Sequence, residues 1–123
     1  MIRVIAHYPG RYISANHLRY RNSPHIRLEA AAWMDGLVKV IRTEKNRLGI
    51  EFTPPVHIRL TGRWKDRRYA CDYDNLHLAI GNCIKAAIEI DDEHFRWHDG
   101  EPVFGVEDQE IVIEIWGGEE VLK

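Results

Sequence analysis

The chain is poor in cysteine and has no long apolar run, and each shortage removes a class of protein. Its two cysteines, Cys71 and Cys83, show no CxxC spacing. A disulfide framework is therefore not expected, and both read as free thiols in a reducing compartment. A zinc site drawn from Cys71, Cys83, His94 and His98 matches no common ligand spacing. Small buried thiols are the better reading. No stretch nears the roughly 18 apolar residues of a membrane span. The start, Met1 to His7, lacks the apolar core and small-residue cleavage site of a signal peptide. A cytoplasmic location and no membrane partner are expected. Repeats, low-complexity segments and obvious linkers are also missing, so the 123 residues are expected to form one domain, residues 1–123.

What is present is an ordinary apolar fraction, 45%, enough for a real core. The net charge of −2 argues against a generic nucleic-acid coat, but its distribution is lopsided. Residues 1–71 hold 14 Lys and Arg against 5 Asp and Glu, while residues 72–123 hold 3 against 14. Two solvated faces would produce such a split. So would a basic docking surface beside an acidic metal site.

Periodicity outlines the elements. Ile2 to His7 alternates as a strand, and Tyr8-Pro9-Gly10 ends it. Residues 11–27 read as a basic loop. Leu28 to about Leu48 carries apolar residues at three- and four-residue steps, with Gly49 as a helix stop. Its Lys39, Arg42, Lys45 and Arg47 read as a solvated face. Thr53-Pro54-Pro55 is expected to punctuate the chain before a strand over Val56 to Thr61. Gly62 to Tyr69 is expected to leave the sheet as an exposed loop. A second helix is expected over Asn75 to about Ala87, with Asp74 as its cap and Gly81 allowing close packing against another helix. Phe95 and Trp97 suggest a short strand, Gln109 to Trp116 the last one, and Gly117 to Glu120 a solvated tail. The order points to an α/β (α+β) fold, a mixed sheet with two main helices packed on it.

The chemistry concentrates around the second helix. Asp72 and Asp74 lie in Cys71-Asp72-Tyr73-Asp74-Asn75-Leu76 before it, and Asp91-Asp92 follow it. Converging carboxylates are costly unless a cation neutralises them. Two or three carboxylates with retained waters suit Mg²⁺, with Mn²⁺ as the alternative. Such an ion lowers the pKa of a bound water and stabilises a leaving oxygen. Just upstream runs Arg63-Trp64-Lys65-Asp66-Arg67-Arg68-Tyr69, suited to a polyanion, with Trp64 or Tyr69 as candidates to stack on unpaired bases. A D-x-D alone is weak, since it also occurs in glycosyltransferases, phosphatases and plain surface charge.

The run Asp66-Arg67-Arg68, then Asp72-Tyr73-Asp74-Asn75-Leu76, then Ile90-Asp91-Asp92 resembles the RusA family, the small phage and prophage Holliday junction resolvases. Ser14 to Tyr20 and Pro55 to Leu60 resemble the family's N-terminal segment and its strand before the basic loop. The resemblance implies a RusA-like homodimer, encoded by a bacterium, prophage or phage, that binds branched DNA and makes paired metal-dependent nicks in four-way junctions. It implies Asp72, Asp74 and Asp92 as essential metal-binding carboxylates, with Asp91 a lesser neighbour. Arg63, Lys65, Arg67 and Arg68 would contact DNA, joined by Asn16, Arg19, Arg21 and Lys85. Two symmetric sites suit a junction with two-fold symmetry.

The chain departs from the family at two positions. Leu78 stands where the family often has a lysine, and Asn82 where it often has an aspartate. Lys85 is about 10.5 Å further along the helix axis than Leu78, too far for a simple substitute. A junction-binding protein with impaired catalysis is therefore the second reading. A metal-dependent enzyme on another phosphate substrate is the third. Geometry adds an expectation. A helix over Asn75 to Ala87 is about 20 Å long, and five residues reach at most about 17–18 Å back. Asp92 meets Asp72 only if the chain turns sharply, or if a second subunit supplies it at a dimer interface.

Overall fold

Strand alternation and helical periodicity are realised over most of the chain. The computed structural model describes residues 1–122. The elements, in order, are β1 (Ile2–His7), α1 (Leu28–Leu48), β2 (Ile50–Trp64), α2 (His77–Ile88), β3 (Phe95–Trp97), β4 (Val103–Phe104) and β5 (Glu110–Leu122). They build an α+β architecture: one mixed five-stranded sheet and two main helices. The sheet order is β1-β5-β2-β3, antiparallel except where β3 and β4 run parallel to β2 along its far edge. The connection from β2 through α2 to β3 is thus a parallel crossover, which needs a helix-length link.

One face of the sheet is apolar at every second residue. Ile2 and Val4 of β1 register with Ile115 and Ile113 of β5, which register with Ile58 and Leu60 of β2. All six are buried and share one core with Ala30, Met34, Leu37 and Ile41 of α1 and Ala79, Ile80, Cys83, Ile84 and Ala87 of α2. Full burial of each Ile or Leu stabilises the fold by about 1.5–3 kcal/mol. α1 ends as expected, with Gly49 in the left-handed region at φ 64° and its N–H on the Lys45 and Asn46 carbonyls. No helix among the described residues is long and apolar enough to cross a membrane.

Five expectations are corrected. Thr53-Pro54-Pro55 does not interrupt the chain; β2 absorbs it, with a register shift between Thr53 and Val56. A bulge is where a strand tolerates proline. Gly62 to Trp64 stay in β2, and Trp64 is fully buried in a T-shaped contact with the Tyr8 ring, so it offers no base-stacking surface. Gly117 to Glu120 are not a tail but continue β5 against β2. Asp74 does not cap α2: a 3₁₀ turn over Tyr73–Asn75 precedes the helix, and the cap position is Leu76. Gly81 makes its close approach to Trp97 of β3 and not to another helix; a Cβ there would stand 3.3 Å from the indole.

The basic loop over residues 11–27 is pinned rather than loose. Ile13 and Leu18 are buried, Arg19 bridges to Ile26, and the Arg27 Nε donates to the His17 carbonyl at 2.9 Å. The Ala15 N–H donates to the Asn75 carbonyl at 2.7 Å, tying the loop to the acidic motif.

Candidate metal centre and basic cleft

α2 separates the two acidic pairs. Asp72 and Asp74 precede its first turn. At its other end Glu89 takes the left-handed conformation, φ 59°, and turns the chain back. Asp91 there meets the Lys85 ammonium at 3.2 Å. Lys85 is eight residues beyond His77, roughly 12 Å along the helix axis, so Asp91, paired with it, belongs to the far end of the helix. The Asp91 carboxyl is held below its ordinary value by hydrogen bonding with Asp92 first and Lys85 second. Lys85 is therefore tied to Asp91 and lies away from Asp72.

β3 carries the chain back along α2 and delivers a different carboxylate to Asp74. The His98 N–H donates to the Ile58 carbonyl at 2.7 Å and the Gly100 N–H to the Leu60 carbonyl at 2.8 Å, fixing the intervening Asp99. Asp99 then reaches His77 in the first turn of α2, with Nε2 3.1 Å from both Oδ1 and Oδ2. The other ring nitrogen, Nδ1, lies 3.9 Å from Asp74 Oδ1. Among the described residues, Asp74, His77 and Asp99 are the group of three His, Cys, Asp or Glu whose ligand atoms all fall within 4.8 Å of one another. Asp72, Asp74 and Asp92 do not form such a group. The donor set gathered within one chain is mixed nitrogen and oxygen, which fits a divalent cation.

Beside Asp72 opens a polar cleft of ≈ 330 Å³. Arg11, Asn16 and His17 from the N-terminal loop line one part of it, and Arg68, Tyr69 and Cys71 another. A second hollow shares Tyr8, Arg11, Arg68 and Tyr69 and extends it toward Gln109. Arg68 is mostly exposed and pairs with Asp66 at 3.0 Å. Tyr69 is half exposed, as stacking on a base would require. Burial pushes the Tyr8 hydroxyl up to about 12, with the neighbouring Cys71 adding to it, so it stays a neutral donor. Burial also raises the Cys71 thiol.

The remaining expected DNA contacts scatter. Arg67 lies over the Phe104 ring at 5.0 Å, and Lys65 is exposed. Arg63 sits on the uncovered sheet face, 3.3 Å from Glu110. Arg19 donates to the Pro24 carbonyl at 3.2 Å, and Arg21 is exposed on the same loop. Asn16 and Arg68 are thus the expected residues that reach the cleft beside Asp72.

Sequence reasoning missed His77, Asp99, Arg11 and His17. His77 had a usable signal, since residues three apart on a helix face one another. Asp99 had none, because only the return of β3 brings it there. No protein-family model and no curated protein matches the chain.

Proposed function

We propose that this protein is a metal-dependent, structure-selective DNA endonuclease that nicks four-way junctions, acting as a RusA-like homodimer. The observation that carries the reading is the adjacency of a cationic cleft to exposed carboxylates. Arg11 and Arg68 flank a channel whose wall includes Asp72, and the Asp74 carboxylate, 95% exposed, lies two residues on. The arginines would hold backbone phosphates, and Asn16 and the Tyr8 hydroxyl would donate to phosphate oxygens. Tyr69 would stack on a base splayed at the crossover. A divalent cation held beside Asp74 would supply the activated water and the charge that stabilises the leaving oxygen. A second subunit would bring an equivalent site for the paired cut.

A junction binder without cleavage is the second reading, favoured by one observation. Leu78, 38% exposed, stands in the first turn of α2 where the family's lysine would be, and Lys85 is held by Asp91. The test incubates the protein with a labelled immobile junction and matched duplex in Mg²⁺, Mn²⁺ or EDTA, beside Asp74→Asn and Asp72→Asn. Paired, metal-dependent nicks lost in the variants support the nuclease. Tight junction binding with no nicks supports the binder, and equal treatment of junction and duplex removes both.

A further inference from the structure

We propose that His77 is a metal ligand: it bonds a divalent cation through Nδ1, together with the Asp74 carboxylate, while Asp99 holds the ring by accepting its Nε2–H. This deepens the proposed function, in which a divalent cation does the hydrolysis, and it concerns a residue outside the carboxylate motif.

Three features of the ring lead to it. First, its plane is fixed. The imidazole stacks on the Trp97 indole at 4.0 Å between centroids and 16° between planes. The absence of a side chain at Gly81 leaves the indole its place. Second, its tautomer is fixed. An ionised carboxylate only accepts hydrogen bonds. In the neutral ring, the 3.1 Å contacts from Nε2 to both Asp99 oxygens place the proton on Nε2, so Nδ1 is the nitrogen that carries the lone pair. Metal-binding histidines are oriented in this way, by a carboxylate on the far nitrogen. Third, Nδ1 stands across a gap from a carboxylate. Nδ1 and Asp74 Oδ1 are 3.9 Å apart, beyond a hydrogen bond. Two donors bonded at about 2.1 Å to one ion lie roughly 3.0–4.2 Å apart, depending on the angle between them. The gap has the width of an ion. Asp74 is exposed, so water completes the coordination and substrate oxygen reaches the same place.

The choice of cation follows. All-oxygen sites suit Mg²⁺, whereas imidazole favours later first-row metals. A nitrogen ligand shifts this chain away from Mg²⁺ and toward Zn²⁺, with Mn²⁺ serving as the paramagnetic probe of the same site. The rival account is an ordinary histidine–aspartate ion pair with no metal nearby.

Electron spin-echo modulation of Mn²⁺ added to the whole chain, without DNA, decides between them. The expected result is ¹⁴N coupling of a directly bound imidazole in the unmutated protein, absent in His77→Gln. Asp99→Asn is expected to weaken Mn²⁺ binding roughly 10–100-fold, as the loss of an orienting partner does. Mn²⁺ bound without ¹⁴N coupling, coupling that persists in His77→Gln, or no Mn²⁺ binding overturns the proposal. Should His77→Gln not fold, histidine labelled with ¹⁵N in the unmutated chain gives the same answer through replacement of the ¹⁴N signal. Junction cleavage is read separately. Nicking with a nitrogen-free Mn²⁺ site sinks the ligand and leaves the nuclease. A nitrogen-ligated site without nicking does the reverse.

Discussion

Two regions of the molecule carry charge in different ways. On the uncovered face of the sheet, charges are settled by neighbours across the strands. Arg59 meets Glu114 at 2.8 Å with its guanidinium over the Trp116 ring, Arg63 meets Glu110, and His57 Nδ1 lies 2.8 Å from His98 Nε2. At the N-terminal end of α2, the Asp72 carboxylate and the Arg11 guanidinium have no hydrogen bond or ion pair among the described residues. Asp74 is almost wholly exposed. Cross-strand pairing neutralises charge at low cost and makes a surface. The unpaired Asp72 carboxylate beside the unpaired Arg11 guanidinium suits binding from outside. The difference separates charge already paired within the fold from charge left open to an outside partner, without appeal to motif.

The sharpest way to break that comparison is to remove one charge from each region. Asp74→Asn is expected to lower metal-dependent junction nicking by more than about 100-fold, exceeding what outer partners contribute. Its thermal unfolding should stay near that of the parent, because an exposed side chain away from packing matters little to stability. Arg59→Ala should leave nicking unchanged. Equal losses in both would erase the distinction.

Stability should divide the other way. Leu60→Ala, in the core face beneath the helices, is expected to cost about 2–5 kcal/mol in denaturant unfolding. Gly62→Ala should also destabilise, since the added Cβ would clash with the Trp64 indole. Such overpacking costs typically about 1–3 kcal/mol.

Smaller effects sharpen the picture. Arg11→Ala and Arg68→Ala should each reduce the salt slope of junction binding by about 1, the signature of one lost phosphate contact. The same change made at Arg59 should leave the slope alone. Cys83, whose thiol burial pushes up to about 12, should resist alkylation until the protein unfolds, while half-buried Cys71 should react slowly.

The smallest effect concerns acid. The Arg59 hydrogen bond holds the Glu114 carboxyl below its ordinary value, with the charges of Arg59 and Arg3 adding to it. A depressed carboxyl contributes stability that is present above its unfolded pKa and is lost as pH falls through its folded one. Acid titration of unfolding should therefore lose a component in the carboxylate range, and Glu114→Gln should flatten it. An unchanged acid limb in that variant would show the pair to be energetically idle.

Local pattern by itself determined much of this protein. Three- and four-residue spacing located α1 from Leu28 to Leu48, and alternation located β1 and most of β5. These elements bury what their own periodicity presents, so neighbouring residues suffice to define them. The composition of Asp72 to Asn75 and of Arg67 to Tyr69 likewise marked the charged end of α2. Tertiary structure decided what local pattern does not contain. The bulge that carries β2 across Pro54 and Pro55 depends on pairing with β5. The burial of Trp64 depends on Tyr8 from another strand's end. Which carboxylate gathers with Asp74 and His77 within one chain was decided by β3, which runs back along α2 and brings Asp99 to His77. A helix keeps its two ends about 18 Å apart over twelve residues. Within one chain the helix therefore holds Asp92 at its far end, whereas the returning strand brings Asp99 to His77 beside Asp74.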